Sequence, residues 1–274
     1  MNIYIETYGC QMNVADSELV RSILKSDKLS VVEDIADADV IIFNTCSVRQ
    51  HAEDRVLGRI NNEMSRKRNN KNLKIGVIGC MAQRLDKELN EMNANIDFVV
   101  GVDQYKKLPE IISDLFDEAD FKCNTVVDDN EIYKDIYPIH TGEFNAFVTI
   151  MRGCNNFCSY CIVPYTRGRE RSRPTEDIIN EITKIGEKGF KDVTLLGQNV
   201  NSYSYNKMNF AELLRQVNKI DSIERIRFVT SHPKDLSDEV IQAMAESEKV
   251  CEHLHLAMQS GDDEILAKMN RRYT

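Results

Sequence analysis

The sequence predicts an α/β protein with two domains, and two features of the chain support this prediction. Extended apolar segments alternate with helical segments along most of the chain, and one of them, Val40–Asn44, contains four apolar residues in a row. Such a run suits a strand whose sheet is covered on both faces, and strands that alternate with helices form parallel sheets with helical crossovers. We therefore expect a flavodoxin- or Rossmann-like parallel sheet first and a second set of βα units after it.

The first domain is predicted to span residues 1–118. The segment Asp16–Lys25 illustrates the pattern, because its apolar residues form one stripe along a helix. Strands are expected at Ile3–Tyr8, Ser30–Glu33, Val40–Asn44, Lys74–Ile78 and Asp97–Val100. Helices are expected at Asp16–Lys25, Gln50–Lys67, Gln83–Met92 and Leu108–Phe116.

Residues 119–143 interrupt this alternation and are predicted to be an interdomain linker, because they are acidic and contain no helical stripe. The second domain is predicted to span residues 144–274 as four βα units. Its strands are expected at Ala146–Met151, Val193–Leu196, Arg225–Val229 and His253–Met258. Its helices are expected at Thr175–Lys188, Ala211–Lys219, Ser237–Glu246 and Asp262–Met269. No closing element follows the fourth unit, so we expect the chain to be a fragment.

Composition excludes several classes of protein. The chain has 274 residues, of which 42% are hydrophobic and 29% charged, an ordinary globular balance. No apolar run reaches the roughly 18 residues that span a bilayer, and the N-terminus begins as a strand instead of a signal peptide. These features predict a cytoplasmic protein without a membrane partner. The net charge of −9 argues against indiscriminate nucleic-acid binding but allows a local basic surface.

Three of the eight cysteines lie close together in the sequence. Cys154, Cys158 and Cys161 form a Cys-x3-Cys-x2-Cys motif after a predicted strand. Three thiolates at this spacing can hold three irons of a cubane cluster and leave the fourth iron open to a small molecule. Structural zinc usually takes four ligands, and no fourth Cys or His lies nearby. A zinc site and a set of unligated thiols are the alternatives.

Three other cysteines are far apart in the sequence, but each follows a predicted strand. These are Cys10, Cys46 and Cys80, and two of them come directly after a glycine. The carboxyl ends of parallel strands share one edge of a sheet, so three such residues can converge on one site. The alternative is three small buried residues at strand ends. Cys123 lies outside both sets and is interpreted as an incidental thiol.

The sequence strings around these cysteines resemble a known family. The strings are Met151-Arg152-Gly153-Cys154-Asn155-Asn156-Phe157-Cys158-Ser159-Tyr160-Cys161, Tyr8-Gly9-Cys10-Gln11-Met12-Asn13, Asn44-Thr45-Cys46-Ser47-Val48-Arg49 and Gly79-Cys80-Met81-Ala82-Gln83-Arg84. Over nearly the whole chain they resemble the radical S-adenosylmethionine (SAM) methylthiotransferases. The residues after Cys10 are similar to the branch of that family that acts on isopentenyladenosine in tRNA.

This resemblance implies two 4Fe–4S clusters. Cys10, Cys46 and Cys80 would hold an auxiliary cluster, and Cys154, Cys158 and Cys161 would hold the cluster that binds SAM. The resemblance also implies that the second domain is an incomplete radical SAM (βα) partial barrel. Family members continue past residue 274 into the rest of that barrel and a small C-terminal β-barrel that binds RNA.

The implied reaction transfers a methylthio group to tRNA. One SAM methylates a sulfur at the auxiliary cluster, and a second SAM, cleaved with an electron from an external reductant, gives a 5′-deoxyadenosyl radical. That radical removes hydrogen from C2 of an isopentenylated adenine beside the anticodon. Within the family, the alternative substrates are threonylcarbamoyladenosine in tRNA and an aspartate of a ribosomal protein. An iron–sulfur electron-transfer or sensor module is the alternative from another class.

Further site residues are expected around the second set of cysteines. The resemblance implies that SAM is bound by Tyr160, Gln198, Ser231 and Gln259. A basic run after the cysteine loop is expected to contact tRNA phosphates: Arg167, Arg169, Arg171 and Arg173. The alternatives are an ordinary polar loop around Gln198 and a solvated charged surface for the arginines.

Overall fold

The structure, a computed structural model, describes residues 1–26, 28–47, 50–91, 96–117 and 120–274. The side chains of residues 50–52 and 64 lie outside this description. Val48 and Arg49 of the second cysteine string, and the predicted helix end at Met92, are therefore not described. The chain forms two units. The first contains residues 1–128, 136–139 and 165–167, and the second contains the remainder.

Parallel strands form the sheet of the first unit. Within the described residues they are β1 (Asn2–Thr7), β2 (Ser30–Val31), β3 (Val40–Thr45), β4 (Lys74–Gly79), β5 (Phe98–Val100) and β6 (Lys122–Asn124). Their order is β2-β1-β3-β4-β5-β6, with Ile3 opposite Val40 and Val40 opposite Lys74. The order of the first five strands is that of flavodoxin-like folds, which confirms the predicted class. Strands β3 and β4 are buried along their whole length, as the apolar run in β3 predicted.

The helices of the first unit are α1 (Gln11–Leu24), α2 (Gln50–Asn69), α3 (Cys80–Arg84), α4 (Asp86–Glu91) and α5 (Leu108–Asp117). Helix α1 begins directly after Cys10 instead of at Asp16. Met12 and Ala15 are buried, so the packed face of the helix extends into its first turn. The single helix predicted from Gln83 is instead two short helices, α3 and α4.

The predicted linker over residues 119–143 requires a correction, because its first part belongs to the sheet. Strand β6 pairs in parallel with β5 and places Cys123 opposite Val99. The strand was missed because Lys122, Cys123 and Asn124 supply no alternating or continuous apolar signal. The first unit thus includes residues that the sequence assigns to the linker.

The second unit contains a parallel sheet of β7 (Asn145–Thr149), β10 (Asp192–Leu196) and β13 (Arg225–Phe228), with β10 in the centre. Two short antiparallel ribbons accompany it: β8 (Met151–Arg152) with β9 (Arg171–Ser172), and β11 (Ser204–Tyr205) with β12 (Met208–Asn209).

The fourth predicted strand of the second unit, His253–Met258, is wrong as a continuous strand. The parallel bridges Ile226–Val250 and Ser231–Leu256 are isolated contacts. The segment turns locally: the amide of His253 bonds to the oxygen of Cys251, and that of Met258 to the oxygen of Leu256. These short-range bonds use amides that a continuous ladder would need.

The helices of the second unit are α7 (Thr175–Glu187), α8 (Phe210–Asn218), α9 (Asp238–Glu246) and α10 (Asp263–Lys268), and α6 (Val163–Thr166) lies where the chain passes between the units. Helix α7 buries an apolar face that includes Ile182, and helix α8 buries one that includes Leu214. Both residues belong to the core around β10. None of the helices in the described part of the chain has both the length and the apolar character needed to cross a bilayer.

Candidate functional site

The three separated cysteines end neighbouring strands of the first unit. Cys10 follows β1, Cys46 follows β3 and Cys80 follows β4, and these strands are adjacent in the parallel sheet. Cys10 is the residue before helix α1, and Cys80 is the first residue of α3. The parallel order therefore brings the three thiols to one edge, as the sequence predicts.

The thiols of the first set interact with each other. A hydrogen bond from Cys46 lowers the pKa of Cys10 from its ordinary value of 9.0 to about 6, although burial opposes this shift, and the charge of Arg167 adds to it. Burial raises the pKa of Cys80, and the nearby thiol of Cys10 contributes to that rise. A lowered pKa favours the thiolate, the form in which cysteine binds metals.

Two glycines shape the turns that present these thiols. Gly9 has φ of +119°, and a Cβ on it would lie 2.3 Å from Cβ of Cys46. Gly79 has φ of +96°, and a Cβ on it would lie 2.5 Å from the backbone oxygen of Thr45. Glycine is therefore required at both positions, both by the positive φ and by the close approach of neighbouring turns.

A buried network of amides and hydroxyls underlies the first set of thiols. Oδ1 of Asn13 accepts a hydrogen bond from Sγ of Cys10 at 3.4 Å. Nδ2 of Asn13 donates to Oδ1 of Asn44 and to the backbone oxygen of Thr45. Nδ2 of Asn44 donates to Oγ of Ser17 at 2.8 Å. Asn13 and Asn44 are 0% exposed. This network joins the turns that carry Cys10 and Cys46.

The residue after Cys46 is held by a second set of polar contacts. Ser47 donates from Oγ to Glu53 at 2.6 Å and accepts from Nε of Arg84 at 2.8 Å. Arg84 and Glu53 also form an ion pair at 2.5 Å. This triangle links helices α2 and α3 to the turn that carries Cys46.

The closely spaced cysteines lie in a loop that a ribbon closes at its base. Met151 pairs with Ser172, and Arg152 with Arg171, across β8 and β9. Within the loop, the amide of Cys154 bonds to the oxygen of Gly168. Burial raises the pKa of both Cys154 and Cys161, and the neighbouring thiols raise each further.

A segment after α10 contacts this loop. Nη1 of Arg271 donates to Sγ of Cys158 at 3.2 Å, and Nδ2 of Asn270 donates to the oxygen of Phe157 at 2.8 Å. The amide of Ser159 bonds to the backbone oxygen of Met269. Three consecutive residues therefore support the loop in the second unit.

The predicted SAM contacts occupy different environments. Gln198 and Ser231 follow β10 and β13, and their Oε1 and Oγ atoms are buried without a hydrogen-bond partner among the described residues. Nδ2 and Oδ1 of Asn201 are also buried without a hydrogen-bond partner among the described residues. Tyr160 and Gln259 are exposed. Buried polar atoms without partners suit a site that binds a polar small molecule, so this edge of the sheet fits SAM.

Three of the four predicted RNA-contacting arginines are buried. Nη2 of Arg173 pairs with Oε2 of Glu181 at 2.7 Å, and Nη1 of Arg171 lies 3.7 Å from Oδ1 of Asp129. Arg167 is buried in the first unit. Burial of these three side chains argues against phosphate contacts. Arg169 is exposed and lies 4.5 Å above the ring of Phe157, so it alone of the four presents its side chain to solvent.

Both sets of thiols fit an iron–sulfur cluster. No three His, Cys, Asp or Glu side chains among the described residues are arranged to hold a single metal ion. A cubane places a different demand on its ligands, since each thiolate binds a different iron. In each set an arginine N–H group lies 3.2 Å from one sulfur, Cys80 in the first and Cys158 in the second. Such donors suit the negative charge of a thiolate-bound cluster.

The partners of these thiols were not identified from the sequence. Asn13, Asp16 and Ser17 lie on one buried face of α1, and polar residues at positions that should be buried are the signal that could have found them. Arg271 gave no signal, because arginine side chains are ordinarily exposed.

Two family models match the chain. One is described as the uncharacterized protein family UPF0004 and matches residues 2–101, and the other is the radical SAM superfamily and matches residues 148–274. The first match contains the separated cysteines and the second contains the closely spaced ones.

Curated relatives cover almost all of this chain. A Parabacteroides distasonis protein named tRNA-2-methylthio-N(6)-dimethylallyladenosine synthase is 51% identical in an alignment of 278 positions, gaps included, that covers 99% of this chain and 60% of that protein. A protein of the same name from Thermoanaerobacter sp. (strain X514) is 49% identical, over 100% of this chain and 59% of its own. The chain thus spans about three fifths of the length of these curated relatives.

Among solved structures, the radical SAM methyltransferase TsrM from Kitasatospora setae, with tryptophan and a SAM analogue bound, resembles this chain with a TM-score of 0.70. The identity is 13%, over 100% of this chain and 63% of that one, so the likeness shows the fold. The matched domain, this fold and the Cys-x3-Cys-x2-Cys loop define a radical SAM protein. With its UPF0004 domain and relatives of 49–51% identity, the chain belongs to the radical SAM methylthiotransferase family.

Proposed function

We propose that the intact protein is a tRNA methylthiotransferase that adds a methylthio group to C2 of N(6)-isopentenyladenosine next to the anticodon. The observation that carries this proposal is the presence of two separate sets of three thiols, each at the carboxyl edge of its own parallel sheet. The names of the curated relatives support tRNA as the substrate.

The two sets of thiols would each hold one 4Fe–4S cluster. Cys10, Cys46 and Cys80 supply three thiolates from three adjacent strands, and Cys154, Cys158 and Cys161 supply three from one loop. Three thiolates leave one iron of a cubane without a protein ligand. Two such sites allow two different exogenous ligands, which a methylthio transfer requires.

The second unit would bind SAM at the edge that carries the cysteine loop. When bound, the cluster and SAM, with one electron from an external reductant, supply the radical chemistry that removes hydrogen from an unactivated carbon. The buried Oε1 of Gln198 and Oγ of Ser231 would bind the polar groups of SAM. The ring of Tyr160, which is 52% exposed, lies between the second and third cysteines and would cover the ligand.

The test is a product analysis after anaerobic reconstitution with iron and sulfide. We expect about eight irons per chain, since each cubane holds four. We also expect a 2-methylthio derivative of isopentenyladenosine when the protein is given SAM, a reductant and tRNA that lacks the methylthio group. Appearance of the product on threonylcarbamoyladenosine or on a ribosomal protein would assign the chain to another branch. Binding of iron without reductive cleavage of SAM would indicate an electron-transfer or sensor module.

A further inference from the structure

A buried cation lies beside the first set of thiols. Arg167 belongs to the first unit, and its side chain is 4% exposed. Its Nε donates to Sγ of Cys80 at 3.2 Å, and its Nη2 donates to Oδ2 of Asp16 at 2.7 Å. One guanidinium group therefore joins a candidate cluster ligand to a carboxylate.

The carboxylate is itself fixed in place. Asp16 is 0% exposed and lies on α1, the helix that begins directly after Cys10. The hydroxyl of Tyr105 lies 3.5 Å from the same Oδ2. A buried ion pair is costly unless further hydrogen bonds satisfy it. Here the rigid fork of donors on arginine lets Asp16 set its orientation, so that Nε points at the sulfur.

The direction of the effect on a cluster follows from charge. A 4Fe–4S cluster with three thiolates is negatively charged, and it becomes more negative when it accepts an electron. A cationic N–H donor to a ligand sulfur stabilises the reduced state more than the oxidised state, and so raises the reduction potential. The same contact holds Cys80 in position and opposes loss of the cluster.

We propose that Arg167 is a positioning residue of the auxiliary cluster, which acts through Cys80 to retain the cluster and to raise its reduction potential, with Asp16 as its orienting partner. This inference rests on the proposed function, because it requires a cluster at Cys10, Cys46 and Cys80. It replaces the contact with tRNA that the sequence predicts for this arginine.

The experiment isolates the auxiliary cluster in the intact protein. A background variant carries Cys154→Ala, Cys158→Ala and Cys161→Ala, so that only the first set of thiols can hold a cluster. Into it are placed Arg167→Met, Arg167→Lys and the double change Asp16→Asn with Arg167→Met. The control is Arg21→Met, which removes a cation from the same helix as Asp16 but one that pairs with Glu33 at 2.9 Å.

Two readouts are compared after anaerobic reconstitution: the midpoint potential from a titration followed by electron paramagnetic resonance, and the half-life of the visible absorbance under an iron chelator. We expect Arg167→Met to lower the ratio of reduced to oxidised cluster at a fixed ambient potential by about tenfold, which is 59 mV for a one-electron couple. The half-life should shorten as well. Arg167→Lys, which keeps the charge, should shift the potential less, and Arg21→Met should match the background.

The double variant separates the electrostatic effect from a folding defect, because it leaves no buried carboxylate without its partner. We expect it to keep the lowered potential. If both Arg167→Met and the double variant have the potential of the background, the inference is wrong and the proposed function stands. If the background variant binds no cluster, the proposed function is wrong and the inference falls with it.

Discussion

Nδ2 of Asn13 donates a hydrogen bond to the backbone oxygen of Thr45 at 3.0 Å, and so joins the turn that carries Cys10 to the turn that carries Cys46. The contact is reciprocated, because Nδ2 of Asn44 donates to the backbone oxygen of Asn13 at 2.8 Å. Each asparagine thus satisfies buried groups on the other turn. The protein's own hydrogen bonds therefore hold the two turns that carry these thiols together, which is an arrangement that suits a site for a metal cluster.

Replacement of this asparagine should loosen the site. Asn13→Ala leaves the oxygen of Thr45 and Oδ1 of Asn44 without their donor, and a buried group that loses its partner costs about 1–3 kcal/mol. We expect a lower free energy of unfolding in urea and less iron retained per chain. Asn62→Ala, at an exposed position on α2, is the control and should change neither quantity. Equal iron content in both variants would show that the network does not position the thiols.

Gly9 offers a sharper test, because the structure supplies a matched glycine. Gly9→Ala places a Cβ where Cys46 lies and forces a left-handed backbone on alanine, so it should destabilise by more than about 1 kcal/mol and displace the thiol. Gly58 lies within α2 and has no atom within 4 Å of the position of a Cβ. Gly58→Ala should stabilise by about 0.5–1 kcal/mol. Chemical unfolding of the two variants should move in opposite directions, and a shift in the same direction would contradict this account.

The parts of the fold that were predicted correctly are those with strong apolar patterns. Strand β3 could be identified from its continuous apolar run, and the parallel order followed from the alternation with helices. Strand β6 was missed because a short edge strand can form without an apolar pattern. The segment His253–Met258 was predicted as a strand from its composition, but hydrogen bonds two residues apart interrupt it. Local turns of that kind leave no pattern in the sequence.

The candidate site shows the same division. Convergence of Cys10, Cys46 and Cys80 could be predicted, because parallel topology alone brings strand ends together. The role of the arginines could not, since arginines at every second position of a segment do not reveal which of them are buried. The partner of Arg167 is Asp16, which is 151 positions away in the sequence. Only tertiary packing brings this pair together.

His232 should make stability depend on pH. Burial, and then the charge of Arg271, lower its pKa from the ordinary 6.5 to about 4, and its Nδ1 accepts a hydrogen bond from the amide of Lys234. Because the unfolded state binds a proton that the folded state does not, stability should fall as the pH drops from about 6.5 towards 4. His232→Gln should flatten this dependence in urea titrations at pH 7 and pH 5.

The exposed His253 provides the control for this measurement. His253→Gln should keep the pH dependence of the unmodified protein. A His232→Gln variant that loses as much stability between pH 7 and pH 5 as the unmodified protein does would contradict the assignment. Effects of pH that are common to the three proteins cancel in the comparison between them.

Arg169 should be the member of the basic run that responds in tRNA binding. Arg169→Gln in the intact protein should reduce the slope of log Kd against log salt by up to about one unit, because one phosphate contact is lost. Arg173→Gln removes a cation that pairs internally with Glu181, and its salt slope should equal that of the unmodified protein. Filter binding over a range of salt concentrations measures both. A reduced slope in Arg173→Gln with no change in Arg169→Gln would reverse the assignment.

The two sets of thiols should divide the reaction between them. The closely spaced cysteines lie in the domain matched as radical SAM, whereas Cys10, Cys46 and Cys80 come from separate strand ends of the other domain. Cys46→Ala should therefore abolish the methylthio product while 5′-deoxyadenosine is still formed from SAM. Cys158→Ala should abolish both products. Liquid chromatography of the nucleosides and of the SAM products measures the two outcomes in one reaction.

Cysteines outside both sets supply the control for this experiment. Cys251 is half-buried in the second unit, and Cys123 is exposed on the edge strand β6. Cys251→Ala and Cys123→Ala should leave both products unchanged, which separates loss of a ligand from loss of any thiol. If Cys46→Ala still formed the methylthio nucleoside at the normal rate, the first cluster would be structural and sulfur would have to reach the tRNA from another site. If instead Cys46→Ala lost both products, the first set of thiols would be needed for the cleavage of SAM, and the division proposed between the two domains would be wrong.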